Sequence, residues 1–331
     1  MRIATYNVEW FNNLFDNNDQ LSRDGGWSGR FDVRKDEQID ALATVFRALD
    51  ADAVMVIEAP DDNRRRNGRV ALENFAEFAG LRTSKAVIGF GNHTQQEIIL
   101  TYDPAVMTAT HDPQGADGAR FDERFMIDLD VDAAPEAVSW SKPPLELAVE
   151  TATGRRIRMI GVHAKSKAPH GAKNDKDAMR IAIENRRKQL AQCVWLRQRV
   201  DDHLAAGDDL IVLGDFNDGP GLDEYEELFG RSGVEIVLGE DHATRLYDPH
   251  ARIALRSRQG GGPVSARFRK KGGYLSALLD YVMLSPGLMQ FQPRWRIWHP
   301  FDDDHCYQTP ELREALLIAS DHFPVTVDLT L

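Results

Sequence analysis

Carboxylate, amide and imidazole side chains stand at the ends of several short apolar runs in this sequence. Glu58, His163 and Asp215 each close such a run. Short apolar runs are typical of buried strands, so these polar groups are expected at strand ends. A carboxylate in that position loses hydration unless a hydrogen bond or a cation compensates it. The pattern indicates either strand ends that face water or a site for metal-assisted and acid–base chemistry.

Glu58 and Asn7 carry oxygen atoms that suit a hard cation. Mg²⁺ prefers one or two carboxylates together with water and substrate phosphate oxygens, and an amide oxygen can join that shell. Asn7 ends the first predicted strand, which begins at the N-terminus. The alternatives are a water-facing acid at Glu58 and a turn or cap residue at Asn7.

Two further clusters follow or precede apolar strands. Asp215 and Asn217 stand in the sequence GDFND, where their spacing places both side chains on one side of an extended segment. Asp321 and His322 stand in SDHFPV, and adjacent side chains of an extended segment point apart. Asp321 can then face a metal while His322 faces a substrate. Asp280, beside another late strand, is a candidate partner that would fix the imidazole tautomer and raise its pKa. A plain turn is the alternative for GDFND.

His163 is followed closely by two lysines, Lys165 and Lys167, in the sequence GVHAKSK. A lone histidine at a strand end is more often structural than catalytic. Cations next to it favour an anionic ligand, which makes His163 a candidate catalytic residue.

Strand and helix patterns alternate along the chain and predict a layered α/β fold. Helices are predicted over residues 35–49 and 176–204 from apolar residues at helical spacing. Loops are predicted over residues 12–34, 61–70, 111–122, 166–176 and 250–274 from their Gly, Asp, Asn and Arg content. No internal repeat or long linker divides the 331 residues, so one domain spanning 1–331 is expected.

Composition narrows the class of protein. With 42% hydrophobic and 28% charged residues, the chain can bury a core, which excludes a disordered chain or a fibre. The two cysteines exclude a disulfide scaffold and are expected to be buried thiols. No apolar run approaches the about 18 residues of a membrane span, and no signal peptide precedes the first strand. We therefore expect a cytoplasmic protein without membrane contact and with no obligate protein partner.

Several enzyme classes are excluded by their missing motifs. The sequence has no phosphate-binding loop of the type G-x-x-x-x-G-K-[ST] and no dinucleotide turn G-x-G-x-x-G. It also has no nucleophile elbow G-x-S-x-G and no zinc helix H-E-x-x-H.

The motifs together resemble the endonuclease/exonuclease/phosphatase superfamily. They occur in that family's order over residues 3–329: TYNV, VIE, GVHAKSK, GDFND, LDYV and SDHFPV. The resemblance implies a four-layer sandwich of two packed β-sheets flanked by helices. It also implies hydrolysis of a phosphoester by an activated water with Mg²⁺ or Mn²⁺.

A histidine at position 163 is more similar to the deoxyribonuclease and sphingomyelinase branch than to exonuclease III. In that branch a glutamate bonds this histidine, and Glu97 stands at the comparable place. The branch also binds phosphate with an arginine before a proline, where this sequence has Lys142. Lysine supplies a point charge without the bidentate fork of arginine. Residues 16–19, DNND, resemble a calcium loop without the EF-hand pattern, so Ca²⁺ is a further candidate ion.

The resemblance implies a role for each site residue. Glu58, Asn7 and Asp321 would hold the metal. Asp215 would orient the attacking water and Asn217 would hydrogen-bond the phosphoryl group. His322, oriented by Asp280, would be the general base or a phosphate clamp. His163, oriented by Glu97, would protonate the leaving oxygen, and the acid and base roles of the two histidines are exchangeable.

The substrate class depends on local charge. The net charge of −12 opposes broad nonspecific nucleic-acid binding. Residues 252–271, however, carry seven cations and no acid, so a nuclease with nucleic acid as substrate is the first hypothesis. Its expected substrate-binding residues are Lys142, Lys165, Lys167, Arg267 and Arg269. The alternatives are incidental charge on solvated loops, a phosphatase or phosphodiesterase for a small molecule or lipid headgroup, and a noncatalytic scaffold.

Overall fold

Two large β-sheets and two short hairpins make up the strands of this protein. The computed structural model describes residues 1–115, 119–127, 136–169, 171–219, 230–256, 262–270 and 272–331. The strands are β1 (Arg2–Asn7), β2 (Ala53–Ala59), β3 (Lys85–Ile88), β4 (Glu97–Tyr102), β5 (Met107–His111), β6 (Phe125–Ile127), β7 (Glu136–Val138), β8 (Leu145–Thr151), β9 (Arg156–His163), β10 (Leu210–Asp215), β11 (Ala266–Lys270), β12 (Gly273–Ala277), β13 (Asp280–Leu284), β14 (Arg294–Ile297) and β15 (Val325–Asp328).

The described helices lie between these strands. They are α1 (Lys35–Leu49), α2 (Gly68–Ala79), α3 (Asp175–Ala205), α4 (Gly233–Leu238), α5 (Pro249–Arg256), α6 (Asp304–Gln308) and α7 (Pro310–Ala319), with 3-10 turns at Phe11–Leu14 and Pro286–Phe291. The predicted helix over residues 35–49 matches α1, and the prediction over 176–204 lies within α3. Both predictions succeed because each helix buries one apolar face against a sheet.

Each of the two large sheets contains a pair of parallel strands whose carboxyl ends lie side by side. The first has the strand order β14-β15-β1-β2-β4-β3, and the second has the order β13-β10-β9-β8-β5. Strands β1 and β2 run parallel, as do β9 and β10. Because carboxyl ends of parallel strands meet at the same edge of a sheet, side chains that follow them come together.

The sheets pack face to face through an apolar layer. Ile3 and Met55 from the first sheet and Leu213 and Val282 from the second are buried in it. Each such side chain contributes about 1.5–3 kcal/mol through burial. Gly161 allows the close approach, because a Cβ atom there would lie 2.5 Å from the Met55 sulfur.

Helices cover the outer faces of both sheets. Helices α1, α2 and α7 pack on the first sheet, and α3, α4 and α5 pack on the second. The order of layers is helix, sheet, sheet, helix. The predicted four-layer sandwich is therefore confirmed.

The prediction of a loop over residues 250–274 is wrong for most of its described part. Pro249–Arg256 form α5, and Ala266–Lys270 pair with Gly273–Ala277 as an antiparallel hairpin. The hairpin is short, polar and outside both large sheets, so its sequence lacks the apolar signal of a core strand. Residues 257–261 and 271 of the predicted loop lie outside the described residues.

Both cysteines, Cys193 and Cys306, are unpaired and buried, as expected. Within the described ranges, every helix falls short of the length and apolar character that a bilayer crossing demands.

Candidate active site

Three predicted site residues are neighbours across the second sheet. Asp215 ends β10 and pairs in register with His163 at the end of β9 and with Asp280 at the start of β13. In the first sheet, Asn7 ends β1 beside Ile57, the residue before Glu58. The two sheets therefore bring their polar strand ends to one place.

Asp215 is the hydrogen-bonding centre of the site. Its carboxylate accepts from Nδ2 of Asn7 at 2.9 Å, across the gap between the two sheets. It also accepts from the backbone N–H of Asn217 at 2.7 Å and from Nδ2 of Asn217 at 3.1 Å. Asp215 is fully buried, and burial raises its pKa to about 6 despite these donors. Such a carboxylate is both fixed in place and suited to accept a proton.

Local backbone geometry positions Asp215. Gly214 has a φ of 140°, and a Cβ atom there would lie 2.0 Å from the carbonyl oxygen of Val162. Asn217 has a φ of 49°, a left-handed value that asparagine tolerates better than most residues. The glycine and asparagine of GDFND are therefore structural requirements of the turn as well as parts of a motif.

The amide of Asn217 is fully engaged. Its Nδ2 donates to the carbonyl oxygen of Ala164 at 3.1 Å as well as to Asp215. Both amide hydrogens are therefore committed, and none is left for a phosphate. In this arrangement Asn217 positions Asp215, which differs from the phosphoryl-binding role that we expected.

Asp280 and His322 form the expected buried pair. Nδ1 of His322 lies 2.8 Å from Oδ2 of Asp280. Burial disfavours the charged imidazole, but the adjacent Asp280 carboxylate outweighs burial and raises the pKa of His322 well above its ordinary value. The ring therefore carries Nδ1–H toward Asp280, and among the described residues its Nε2 has no hydrogen-bond partner.

Ser265 bonds the same carboxylate oxygen of Asp280 as His322 does, and sequence reasoning missed it. Its hydroxyl donates to Oδ2 of Asp280 at 2.7 Å and accepts from the backbone N–H groups of Leu279 and Asp280 at 2.9 Å each. Serine residues are common in loops, and no spacing rule distinguishes this one.

Ser320 ties the first and last strands of the first sheet together at the site. Its hydroxyl donates to the backbone oxygen of Asn7 at 2.8 Å and accepts from the backbone N–H of Glu9 at 3.1 Å. The SDHFPV motif contains this serine, but its role depends on a contact 313 residues away in the chain.

His163 contacts Lys142 at the base of the site. Nζ of Lys142 lies 3.2 Å from Nε2 of His163, so the ammonium donates to an unprotonated ring nitrogen. Burial and the Lys142 charge lower the pKa of His163 well below its ordinary value. Burial also lowers the pKa of Lys142. His163 is therefore neutral, which opposes its expected role as the proton donor.

Glu58 lies in a strained backbone position close to His163 and within the influence of the Lys142 charge. Its φ is 59°, and the register of β2 against β4 skips it between Ile57 and Ala59. Strained bulges of this kind cluster at functional sites. One carboxylate oxygen of Glu58 lies 3.9 Å from Nε2 of His163. Burial raises the pKa of Glu58 to about 7, and the Lys142 charge opposes that shift.

The predicted contact between Glu97 and His163 is wrong. Glu97 is buried at the start of β4, where its carboxylate accepts from Nδ2 of Asn92 at 2.7 Å. Burial raises the pKa of Glu97 to about 7. Nδ1 of His163 is buried without a partner among the described residues. Glu97 is on β4 and His163 is on β9, in different sheets. The distance between them depends on how the sheets pack, which the spacing in the sequence does not determine.

The two lysines after His163 have different environments. Lys167 pairs with Asp218, a fully buried carboxylate that also lies 3.6 Å from Arg186. That contact makes Lys167 a structural partner of Asp218, which differs from the substrate-binding role that we expected. Lys165 lies near the site, and its charge adds to the effect of burial in lowering the pKa of Lys142.

The two predicted arginines lie beside the SDHFPV segment. Arg267 and Arg269 are on β11, and the backbone N–H of Arg267 donates to the backbone oxygen of Asp321 at 2.7 Å. Ala266 forms a bridge with His322. The hairpin is therefore fastened directly to the SDHFPV motif.

The donor set fits a divalent cation. Oδ1 of Asn7 and Oδ1 of Asp280 are buried without hydrogen-bond partners in the described structure. Ligand atoms of Asp215, Asp280 and His322 lie within 4.8 Å of one another. Their mutual hydrogen bonds account for part of that proximity, and a hard ion prefers oxygen to imidazole. Asn7 and Glu58, with half-buried Asp321 at the rim, offer an all-oxygen alternative.

A comparison with known families decides the class of protein. The profile of the Endonuclease/Exonuclease/phosphatase family matches residues 4–322. The chain belongs to the Endonuclease/Exonuclease/phosphatase family. The resemblance that the motifs indicated is therefore confirmed, and with it a hydrolase of phosphoesters in a family that depends on divalent metal ions.

Solved structures show the same family fold. A truncated TDP2 of Caenorhabditis elegans is 12% identical with a TM-score of 0.51, and the match covers 98% of this chain and 96% of that one. TDP2 of D. rerio, complexed with single strand DNA product, is 11% identical with a TM-score of 0.52, and the match covers 99% and 97%. No curated protein matches the chain. At such low identity the likeness concerns the fold alone.

Two acidic segments outside the family site have structural roles. Asp16, in the calcium-like DNND segment, accepts from the backbone N–H groups of Asn18 and Gln20, as in an ordinary turn. Asp303 caps α6 and pairs with Arg296, and Asp302 lies 3.0 Å from His299. These contacts account for both segments without a metal.

Proposed function

We propose that this protein is a divalent-metal-dependent nuclease that cleaves phosphodiester bonds of nucleic acid with an activated water. The observation that carries the proposal is the buried cluster centred on Asp215. Around it, Asn7 and Asn217 donate to one carboxylate, and the Asp280–His322 pair lies within 4.8 Å. A preorganised group of this kind needs little rearrangement when charge develops in a transition state.

Asp215 is the proposed acceptor of the water proton. Its carboxylate is held by three hydrogen bonds, so it can orient a water molecule in one direction. Its raised pKa brings its basicity closer to neutral pH, where general base catalysis is efficient. Asn7 and Asn217 are positioning residues in this scheme.

The two histidines take opposite roles. His322, protonated opposite Asp280, donates to the phosphoryl group or to the leaving oxygen through Nε2. His163 stays neutral and orients the Lys142 ammonium, which neutralises phosphoryl charge as a point cation. Of the two histidines, His322 is therefore the proposed general acid.

Glu58, Asn7 and Asp321 are the residues proposed to hold Mg²⁺ or Mn²⁺. The bound ion would supply Lewis-acid stabilisation of charge on the phosphoryl oxygens. The Oδ1 of Asn7, which has no hydrogen-bond partner among the described residues, and the strained backbone at Glu58 support this choice. Ca²⁺ fits the same oxygen donors and is the third ion to compare.

Nucleic acid is the proposed substrate because cations surround the site. Lys142, Lys165, Arg267 and Arg269 lie on segments that meet at the catalytic edge. If these cations bind phosphates, kcat/KM falls steeply as salt is added, because each contact releases counterions. A flat salt response would leave a small phosphoester as the better substrate.

One panel tests the proposal. Plasmid DNA, single-stranded RNA, a chromogenic phosphodiester and a phosphomonoester are each supplied with Mg²⁺, Mn²⁺, Ca²⁺ or chelator. We expect cleavage of nucleic acid that chelator abolishes. Asp215→Asn keeps the shape of the side chain and should lower kcat at least about a hundredfold.

The matched control is Asp248→Asn, which removes another fully buried carboxylate. Asp248 has a pKa raised by burial to about 6, and it accepts from the backbone of Ala251 and Val282. Equal losses in both variants would point to general destabilisation. Activity that survives chelator would contradict the metal-dependent mechanism.

A further inference from the structure

Two arginines of the β11–β12 hairpin lie against exposed aromatic rings from the hairpin and from two neighbouring segments. The guanidinium carbon of Arg267 lies 3.7 Å from the ring centre of Tyr274 and 5.3 Å from that of Phe301. The guanidinium carbon of Arg269 lies 3.5 Å from the ring centre of Phe31. We call these five residues the arginine–aromatic strip: Phe31, Arg267, Arg269, Tyr274 and Phe301.

The strip results from strand periodicity. Residues two apart on a strand share a face, so Arg267 and Arg269 point to one side while Phe268 points to the other. Phe268 packs its ring 5.5 Å from the ring of His322. Tyr274 is the register partner of Arg269, which places its ring diagonally opposite Arg267. One face of the hairpin thus supports the catalytic histidine, and the other presents the strip.

The aromatic side chains of the strip are exposed to solvent. Phe31 is 74% exposed, Tyr274 is 59% exposed and Phe301 is 44% exposed. Single exposed aromatics are common, but a contiguous set indicates an interaction surface. Arg267 and Arg269 have no carboxylate partner among the described residues, so their N–H groups remain available to an anion.

Four residues of the strip, all except Phe301, border one cavity of about 660 Å³ together with the SDHFPV segment. Asp321 and Ser320 line it on the catalytic side, and Phe31, Arg269 and Tyr274 line it on the other. The acids of the cavity are Glu9, Asp32 and Asp321. Glu9 is paired with Arg30, and Asp321 is the proposed metal ligand. The described hairpin residues themselves carry three cations and no acid.

We propose that the arginine–aromatic strip binds unpaired nucleotides next to the scissile phosphate, which makes a single strand the preferred substrate. Bases of a single strand can stack on open aromatic and guanidinium faces, and the phosphates between them can accept from the arginines. Bases in a duplex already stack on each other and cannot use these faces. This inference rests on the proposed nuclease function and adds the form of nucleic acid to it.

Binding is measured by fluorescence anisotropy with Mg²⁺ in the Asp215→Asn background, so that the strand is not cut. The probes are a labelled short oligothymidylate, the same strand with abasic sites, and a duplex. We expect oligothymidylate to bind about tenfold tighter than the other two probes. Tyr274→Ala and Phe301→Ala should each weaken that binding about tenfold, whereas Tyr274→Phe should retain it because the ring remains.

The control is Phe78→Ala. Phe78 is 40% exposed, and Arg23 lies over its ring at 5.3 Å, but it is on α2 and does not line the cavity. We expect this variant to bind as the parent does. Thermal unfolding of every variant checks that substitution at these exposed positions leaves the fold intact.

Two failures are distinguishable. If the wild-type protein does not cleave nucleic acid, the nuclease function fails, whether or not it cleaves the chromogenic phosphodiester. If it cleaves nucleic acid but binds abasic, duplex and normal strands equally, only the strip proposal is overturned. Competition by polyglutamate as effective as that of oligothymidylate would also overturn it, because charge alone would then explain binding.

Discussion

Nζ of Lys142 lies 3.2 Å from Nε2 of His163, so the buried imidazole accepts from an ammonium group. This contact joins a loop residue between β7 and β8 to the end of β9. It assigns the proton of that hydrogen bond to Lys142 and leaves His163 neutral. Lys142 is therefore the charged member of the pair, and the charges of Glu58 and Asp215 act on it.

Replacing Lys142 by methionine should raise the pKa of His163, because the charge that opposes its protonation is removed. Burial still lowers that pKa, so it should stay below the ordinary value. We expect kcat/KM for a phosphodiester to fall about tenfold or more, because the cation that neutralises phosphoryl charge is lost. A histidine-selective NMR titration and steady-state kinetics check both results. Lys85→Met, which changes an exposed lysine on β3, should change neither quantity.

Replacing Asp280 by asparagine should destabilise the protein in a pH-dependent way. The folded pKa of His322 is raised above the unfolded value of about 6.5, so the pair stabilises fully below about pH 6.5. That stabilisation is lost as pH rises through the folded pKa. Asp280→Asn should lower the free energy of unfolding by about 3 kcal/mol at about pH 6 and by less at about pH 9.

Urea unfolding at a series of pH values measures this difference. The control is Asp302→Asn, which removes the acid of a second Asp–His contact, 3.0 Å from His299, where the aspartate is exposed. Because the Asp302 carboxylate is exposed and hydrated, its contact with His299 should contribute little at any pH. A pH-independent loss in Asp280→Asn would contradict the assigned charge state of His322.

Replacing Ser265 by alanine should reduce both stability and activity. The backbone N–H groups of Leu279 and Asp280 would lose their acceptor, and the Asp280 carboxylate would lose a donor. Unsatisfied buried groups of this kind cost about 1–3 kcal/mol each, so we expect a loss of roughly 2 kcal/mol. Ser265→Thr keeps the hydroxyl and should recover most of the rate. A wild-type kcat in Ser265→Ala would show that Asp280 needs no such support.

Replacing Glu58 by glutamine should stabilise the metal-free protein at alkaline pH. Its folded pKa of about 7 exceeds the unfolded value of about 4.3, so the folded chain holds that proton more tightly. Glu58 therefore costs increasing stability as pH rises from about 4.3 through about 7. We expect Glu58→Gln to raise the free energy of unfolding at about pH 8 by on the order of 2 kcal/mol.

The same variant should lose the stabilisation by Mg²⁺. In the wild-type protein we expect Mg²⁺ to raise Tm, because it binds the folded chain alone. Glu58→Gln should show little shift, and Glu77→Gln, at an exposed position of α2, should respond as the wild-type protein does. A full Mg²⁺ shift in Glu58→Gln would exclude Glu58 as a ligand.

Much of the site could be predicted because strand ends carry it. The apolar runs before Glu58, His163 and Asp215 determine where each strand stops, and the pairing of parallel strands then determines that their ends meet. The Asp280–His322 contact was predictable from complementary chemistry. All of these predictions depend on short segments with strong local signals.

The parts that failed depend on distance across the fold. Glu97 was matched to His163 by its place in the order of motifs, but it hydrogen-bonds Asn92. The GVHAKSK motif predicts that Lys167 binds substrate, and in the structure its ammonium pairs with the buried carboxylate of Asp218. Ser265 has no local signal, because a hydroxyl in a loop becomes important only when a partner from another segment reaches it.

The position of β15 has a consequence for protein synthesis. This strand, the last in the chain, lies between β14 and β1, and Ser320 just before it bonds the backbone of Asn7. A nascent chain that already contains His163 and Asp215 still lacks His322 and the strand that follows it. We therefore expect the Asp280–His322 pair to form only after β15 has been synthesised.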